Sequence, residues 1–415
     1  MAVRIREATE SDLARLVEIH TLAFPDARGH DARMRNFRSK PLGGLPRLRV
    51  AFDSTAEDRI VGHAFLLDLS VFVGGRPVRT GGIATVGVEP AYRGRGVATA
   101  ILGALHDEAS REAMPLTMLY AFRQGFYARG GYSAVTPLQR LELVPSAIPA
   151  SFGARGADSS AGLRVRHAGA GDRDTLRAVY ERACERSTGF VARPSARWDE
   201  LLCDERIAFV LAVDDAGYAH GALAYRLVQA ESHGKVTLQV EELHATDTRA
   251  RLCLLSHLRQ QKDQVAVIHV SLAWDDPLVH ALTDADADRF GDATVEHALG
   301  RVCGGPLLRL GSLAGLLAAR GYEQDGELTI AVTESMHDTS SCARVVVSAS
   351  IATVTTADPA RADVVLSSHA ASVLAGGVRL RDAAQLGHAR ATSADTLRRA
   401  DGLLATPAFL SYDGF

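Results

Sequence analysis

The sequence predicts a mixed α/β (α+β) chain, with two related sheet-and-helix domains in tandem followed by a third α+β unit. Three observations carry that expectation. Strand-like runs alternate with amphipathic helical runs from the N-terminus onward, a set of residues near the start recurs in the middle, and the pattern changes near Leu307. A length of 415 residues is more than one hydrophobic core usually organises, and 47% hydrophobic with 23% charged residues is an ordinary globular balance. The expected divisions are a first domain at 1–144, a linker at 145–162, a second domain at 163–300 and a third at 301–415.

In the first domain, Val3 to Ile5 reads as a strand. Thr9-Glu10-Ser11-Asp12 follows as a helix start, with Thr9 capping and Asp12 answering from the third position, ahead of the apolar spacing Leu13, Leu16, Val17. Arg47 to Asp53 and Arg59 to Val71 read as strands, and Gly74-Gly75-Arg76-Pro77 is a hairpin signal. Ile83 to Val88 is a further strand closed by Pro90. Gly96 to Ala113 has helical apolar spacing, Leu116 to Ala121 is another strand, and the aromatic segment Phe126 to Tyr132 follows. The stretch 145–162, rich in Ser, Ala, Gly and Pro, reads as a linker.

The second domain repeats the first. Arg164-Val165-Arg166-His167-Ala168 with Asp172, Leu176 and Val179 echoes Arg4-Ile5-Arg6-Glu7-Ala8 with Asp12 and Leu16, and strands are expected at 208–214, 221–228 and 237–243. From about Leu307 the order changes to a helix at 310–320, strands at 326–333, 343–349, 352–356 and 362–368, and helical pieces beginning at His369, Val378 and Ser393.

Composition excludes several function classes. The formal net charge is -3, and the 46 basic residues are interspersed with 49 acidic ones, so no nucleic-acid or anionic-membrane footprint exists. The N-terminus alternates apolar and charged residues and lacks a signal-peptide-like stretch, which predicts a cytoplasmic protein. Five widely spaced cysteines without a Cys-x-x-Cys pair predict free, buried thiols. His20, His30, His106 and His244 have no metal-ligand spacing, so no metal is expected, and no serine lies in a nucleophile-elbow context.

The segment Val86-Gly87-Val88-Glu89-Pro90-Ala91-Tyr92-Arg93-Gly94-Arg95-Gly96-Val97-Ala98 carries the chemistry. A strand ends, a loop presents glycines and arginines, and a helix begins, so unpaired amides and the positive end of the helix dipole converge where an anionic phosphate fits. The corresponding stretch of the second domain, Ala245 to Arg251, has no glycine, and loss of phosphate binding is expected there.

Arg93, Gly96 and Ala98 match the Arg/Gln-x-x-Gly-x-Gly/Ala signature, and here the sequence resembles the GNAT superfamily of N-acetyltransferases. The resemblance implies acetyl-CoA as acyl donor, with Val86 and Val88 pairing with the pantetheine arm and Arg93, Gly94, Arg95, Gly96, Val97 and Ala98 holding the pyrophosphate. Taken over its whole length, the chain is similar to acetyltransferases of the enhanced intracellular survival (Eis) type, which combine an active GNAT domain, a degenerate one and a sterol-carrier-protein-like C-terminal domain. Phe126-Tyr127-Ala128-Arg129-Gly130-Gly131-Tyr132 matches that family's tyrosine segment, with Ala128 in place of a glycine, and the last residue is Phe415. The resemblance therefore implies Tyr127 as general acid, the Phe415 carboxylate as general base, a hexamer, and acetyl transfer to an aminoglycoside- or polyamine-like amine.

Chemistry favours these roles independently. A phenol with pKa about 10 can protonate a departing thiolate, and a terminal carboxyl with pKa about 3.5 becomes an effective base when burial raises it. Phe24, Asp26, Phe122 and Arg123 are the expected acceptor-pocket residues, with Asp31 nearby. Arg123 and Gly414 stand where the aminoglycoside-accepting members have acidic residues, so the alternatives are an amine that also bears a carboxylate, gripped by Arg123, or a non-catalytic acyl-CoA sensor.

Overall fold

A computed structural model describes residues 2–25, 29–40, 42–153, 162–229, 236–283, 298–333, 340–367 and 369–415. In chain order its strands are β1 (Val3–Glu7), β2 (Leu48–Asp53), β3 (Arg59–Val73), β4 (Arg76–Val88), β5 (Leu116–Leu119), β6 (Ser133–Ala134), β7 (Leu138–Leu143), β8 (Arg164–His167), β9 (Ala208–Val213), β10 (Ala219–Gln229), β11 (Val236–Ala245), β12 (Val265–Ala273), β13 (Gly300–Cys303), β14 (Leu307–Leu310), β15 (Gly326–Thr333), β16 (Ser340–Ser348), β17 (Ile351–Thr356), β18 (Val364–Leu366) and β19 (Ala389–Ala391). They form sheets in the orders β1-β2-β3-β4-β5-β14-β6, β13-β7-β12-β11-β10-β9-β8 and β17-β16-β15-β18-β19.

The first two sheets have matching plans, as the repeat predicts. Each contains a strand from elsewhere in the chain. β14 lies between β5 and β6 in the first sheet, and β7 lies between β12 and β13 in the second. The expected divisions at 144 and 301 therefore need correction, because backbone pairing carries β7 into the second sheet and β14 into the first. By contacts, one compact unit comprises Met1–Val135, Pro306–Thr406 and Asp413–Phe415, and the other comprises Thr136–Gly305 and Pro407–Tyr412. The expected linker also needs correction where it is described. Ala147, Ile148 and Phe152 are buried in the core of the second unit, because their apolar side chains pack under the helix Thr248–Gln260. Residues 154–161 lie outside the described set.

Helices in the first unit begin with α1 (Leu13–Ala23), α2 (His30–Ser39), α3 (Val97–Arg111) and α4 (Gln124–Ala128). Arg6 forks onto Asp12 at 2.7 and 2.9 Å, and Asp12 also accepts from the Thr9 amide at 2.7 Å, which fixes the entry to α1. The second unit repeats the device at Arg166 and Asp172, with Gly169 supplying the amide, ahead of α5 (Arg173–Cys184). Apolar residues of α3, Val97, Ile101, Leu102 and Leu105, pack on Val61, Ala64, Leu66 and Ile83 of the sheet.

The C-terminal sheet belongs to the first unit. Arg320 is 2% exposed, and its guanidinium donates to the carbonyls of Leu374, Leu404 and Ala405 at 2.8, 2.9 and 3.3 Å. These carbonyls stand at the C-terminal ends of Ala370–Ala375 and Ala394–Leu404, where helices leave acceptors unpaired. The cysteines are free, as expected, but only Cys184 is buried, while Cys203 on a turn is exposed. Among the described residues no helix is long and apolar enough to cross a membrane.

Candidate active site

β4 and β5 build the site by parting. Their parallel pairing covers Thr80↔Leu116, Gly81↔Thr117 and Gly82↔Met118 and stops there among the described residues. On its other edge β4 stays paired to β3, but the register shifts between His63 and Phe65, and Thr85 takes a φ of 50°. A β-branched residue in left-handed backbone is strained, and the bulge turns the end of β4 away from β5. A cavity of about 1410 Å³ opens there, lined among others by Phe24, Val86, Val88, Arg93, Gly94, Gly96, Val97, Ala98, Phe122, Arg123 and Tyr127.

At one wall of this cavity α3 begins without a side-chain cap, since its N-cap is Gly96 with φ 82°. Gly94 has φ 76°, and a Cβ on either glycine would meet nothing within 4 Å. Glycine is needed here for backbone conformation, and the room above the loop stays open to an approaching ligand. The first amides of the helix thus face an open space with Arg93 beside them, which fits a pyrophosphate. Arg95 is not a lining residue, because its guanidinium lies over the Tyr92 ring, 5.3 Å from the centroid.

Tyr127 sits on α4 at another wall and is 5% exposed. Its ring meets Phe126 and Tyr132 edge-on at 4.9 and 6.0 Å, and its hydroxyl makes no hydrogen bond among the described residues. Burial pushes the phenol's pKa above its ordinary value, so it is held protonated at neutral pH. Tyr132 is different, since its hydroxyl is engaged by Thr117 at 2.9 Å and His106 at 3.0 Å inside the core. Burial, with Arg309 in support, lowers His106 to about 3, so that ring is neutral.

The acceptor side includes Phe24 and Phe122, the latter 83% exposed, together with Arg123. Arg129, which sequence reasoning did not select, lines the cavity too, with its guanidinium 5.8 Å from the Phe126 ring centroid. The charged lining groups among the described residues are Arg93, Arg123 and Arg129, all cationic. Asp26 lies outside the described residues, and Asp31 is an exposed residue in the first turn of α2, away from the lining. Behind Phe24, His20 stacks on its ring at 4.7 Å, and His63 is fully buried with its pKa lowered to about 3 by burial and by His20.

Phe415 is not a lining residue. Its ring stands where β4 and β5 part, 5.5 Å from the Tyr120 ring centroid, with one ring carbon 3.2 Å from where a Cβ of Gly82 would lie. The remaining cavity wall on β4, Val86 and Val88, is further along the strand that carries Gly82.

The second unit closes the equivalent places. The helix Thr248–Gln260 is capped by Asp247, whose carboxylate accepts from the Ala250 amide at 2.9 Å. A carboxylate thus caps the helix start at the place where the first unit has Gly96. On β11, Glu242 accepts from Arg193 at 3.0 Å and from His244 at 2.9 Å, and Tyr180, Phe190 and Tyr412 pack around His244. Burial alone would raise the Glu242 carboxyl, but Arg193 and His244 outweigh it and hold it below the carboxylate range. Among the described residues, no group of three or more His, Cys, Asp or Glu could hold a metal ion.

Residues 4–135 and, separately, residues 189–302 each match an acetyltransferase (GNAT) domain family. The chain is 28% identical over 337 residues to the N-acetyltransferase Eis of Mycobacterium tuberculosis, covering 78% of each protein. Among solved structures, Eis1 from Mycobacterium abscessus superposes with a TM-score of 0.77 at 25% identity, covering 100% of both chains. A GCN5-related N-acetyltransferase from Anabaena variabilis shares the fold with a TM-score of 0.80 at 19% identity, again over 100% of both chains.

Proposed function

Because the chain belongs to the GNAT acetyltransferases, we propose that its first domain transfers the acetyl group of acetyl-CoA directly to a primary amine of a small molecule. The observation that carries this reading is the uncapped start of α3 at Gly96, opening onto a cavity that also holds the buried phenol of Tyr127. The amides of Arg93 to Ala98 would hold the pyrophosphate, and the free backbone edge of Val86 and Val88 would take the pantetheine arm. Bound acetyl-CoA supplies an activated thioester. Tyr127, kept protonated by burial, donates its phenolic proton at the leaving sulfur. The Phe415 carboxylate, by resemblance to the Eis type, accepts the proton that the amine must lose before it attacks. The C-terminal five-stranded unit is read as sterol-carrier-protein-like, the second GNAT domain as catalytically degenerate, and the enzyme as a cytoplasmic homohexamer. A monomer in light scattering would count against the last assignment.

For the acceptor, a second reading has a specific observation behind it. An aminoglycoside- or polyamine-like substrate, with its implied role in antibiotic modification, carries several positive charges, whereas the described charged groups of the cavity are guanidiniums. Arg123 can pair bidentately with a carboxylate, which favours an amine bearing an acid group. The test is thiol release from acetyl-CoA over aminoglycosides, polyamines, amino acids and peptides, with Arg123→Glu alongside wild type. Turnover on carboxylate-bearing amines that falls in Arg123→Glu supports the second reading. Efficient turnover of polycations by the wild type overturns it.

A further inference from the structure

We infer that Tyr120 is a positioning residue, which seats the chain's last residues at the fork of β4 and β5 and so sets where the Phe415 carboxylate can act. The inference rests on the proposed role of that carboxylate and assigns a residue that neither the motif nor the cavity lining selects.

The seat has two sides. On β4, Gly82 is the last residue paired with β5, and its missing side chain leaves room for Phe415, since a Cβ there would come within 3.2 Å of Phe415 Cε2 and 2.5 Å of Leu69 Cδ1. On the other side, Tyr120 directly follows β5. Its ring meets Phe415 edge-on at 5.5 Å, and its hydroxyl donates to the Asp413 carbonyl at 3.1 Å. One side chain therefore holds the segment at two points, by ring packing on the terminal residue and by a hydrogen bond two residues earlier.

Those contacts restrict motion where catalysis needs it restricted. On the proposed reading Phe415 acts as a chain end, and chain ends fray unless they are tied down. Asp413 is itself buried at 1% exposure, so the tail is held up to the point where Tyr120 grips it, while Gly414 beyond it is exposed. With glycine between the two contacts, the ring contact is what limits the swing of Phe415 and thus of its carboxylate. Tyr120 is 43% exposed, more than a residue serving only the core would be, and it lies two residues before Phe122 and three before Arg123 on the same run of chain. It links the acceptor wall to the proposed base.

A base acts through a proton that it must reach, and displacement by about 1 Å can cost on the order of 100-fold in rate without changing how the acyl donor binds. The experiment measures kcat and the KM for acetyl-CoA in wild type, Tyr120→Phe, Tyr120→Ala, a Phe415 deletion, and the deletion combined with Tyr120→Ala, with thermal midpoints recorded for each. Tyr120→Ala is expected to lower kcat by about 10- to 100-fold and Tyr120→Phe by less, both with KM for acetyl-CoA unchanged. In the deletion background Tyr120→Ala should have no further effect on kcat, because the group it positions is gone. If the deletion abolishes turnover and Tyr120→Ala keeps wild-type kcat, the positioning role is overturned while the base assignment stands. If the deletion keeps full kcat with a wild-type midpoint, the base assignment itself is overturned, and this inference goes with it.

Discussion

Gly96→Ala separates the conformational from the ligand-binding demands on the start of α3. Gly96 has φ 82°, and alanine in that left-handed region costs about 1–2 kcal/mol. Among the described residues no atom beyond the adjoining chain lies within 4 Å of the new Cβ, so the substitution adds strain without a clash and the protein should fold. For a unit of this size, each kcal/mol lowers the melting midpoint by roughly 2–4 °C, giving a fall of about 2–8 °C. The effect on ligand is separate. The new methyl enters the room above the helix amides, and losing one charge-assisted amide–phosphate hydrogen bond costs about 1.5–3 kcal/mol, equivalent to roughly 10- to 150-fold in affinity. The assay is the KM for acetyl-CoA from thiol release, with its Kd from calorimetry. Gly103→Ala on the exposed side of the same helix is the control, because helix propensity alone should stabilise it slightly and leave KM unchanged. A Gly96→Ala enzyme with the expected lower midpoint but a wild-type KM for acetyl-CoA would refute the assignment of this loop to the pyrophosphate.

Other predictions concern parts remote from the chemistry. Calorimetry should give one acetyl-CoA per chain, since the Asp247 carboxylate caps the equivalent helix in the second unit; a second site of similar affinity would contradict that. Arg320→Met should strip donors from the carbonyls of Leu374, Leu404 and Ala405, costing at least about 3 kcal/mol, measurable as a shifted denaturation midpoint with little change in KM. The Arg6 hydrogen bonds lower Asp12 to about 2, so its stabilising contribution is complete above the ordinary carboxylate range and is lost as pH falls toward 2. Asp12→Asn should therefore destabilise the protein at neutral pH and flatten its acid unfolding profile between about pH 4 and pH 2, and an unchanged profile would count against that ion pair.

Much of this architecture is legible locally. The Arg93 to Ala98 loop, the helix behind it and the Thr9–Asp12 helix start depend on nearby residues, and the sequence reading locates each of them. The long-range pairings are hidden. Leu307 to Leu310 runs into the apolar spacing of a helix expected from 310, yet it forms β14, because its partners Leu119, Met118, Thr117 and Leu116 are far away in the chain. β7 is likewise recruited by β12 and β13, which no local period could announce. At the site, Tyr127, Phe24, Phe122 and Arg123 line one cavity, but Arg129, which lines it too, escaped notice because Arg123 alone drew a role from the family pattern. Tyr120 and Gly82 could be found only from the course of the tail. Their relation to Phe415 depends on where β4 and β5 part.

The most direct measurement is acetyl-CoA turnover on the best acceptor from the amine panel, comparing wild type with Tyr127→Phe. The Tyr127 hydroxyl makes no hydrogen bond among the described residues, so its removal should leave the melting midpoint and the KM for acetyl-CoA nearly unchanged while lowering kcat by about 100- to 10,000-fold. A Tyr127→Phe enzyme with wild-type kcat would contradict the account of the leaving-group proton at its centre.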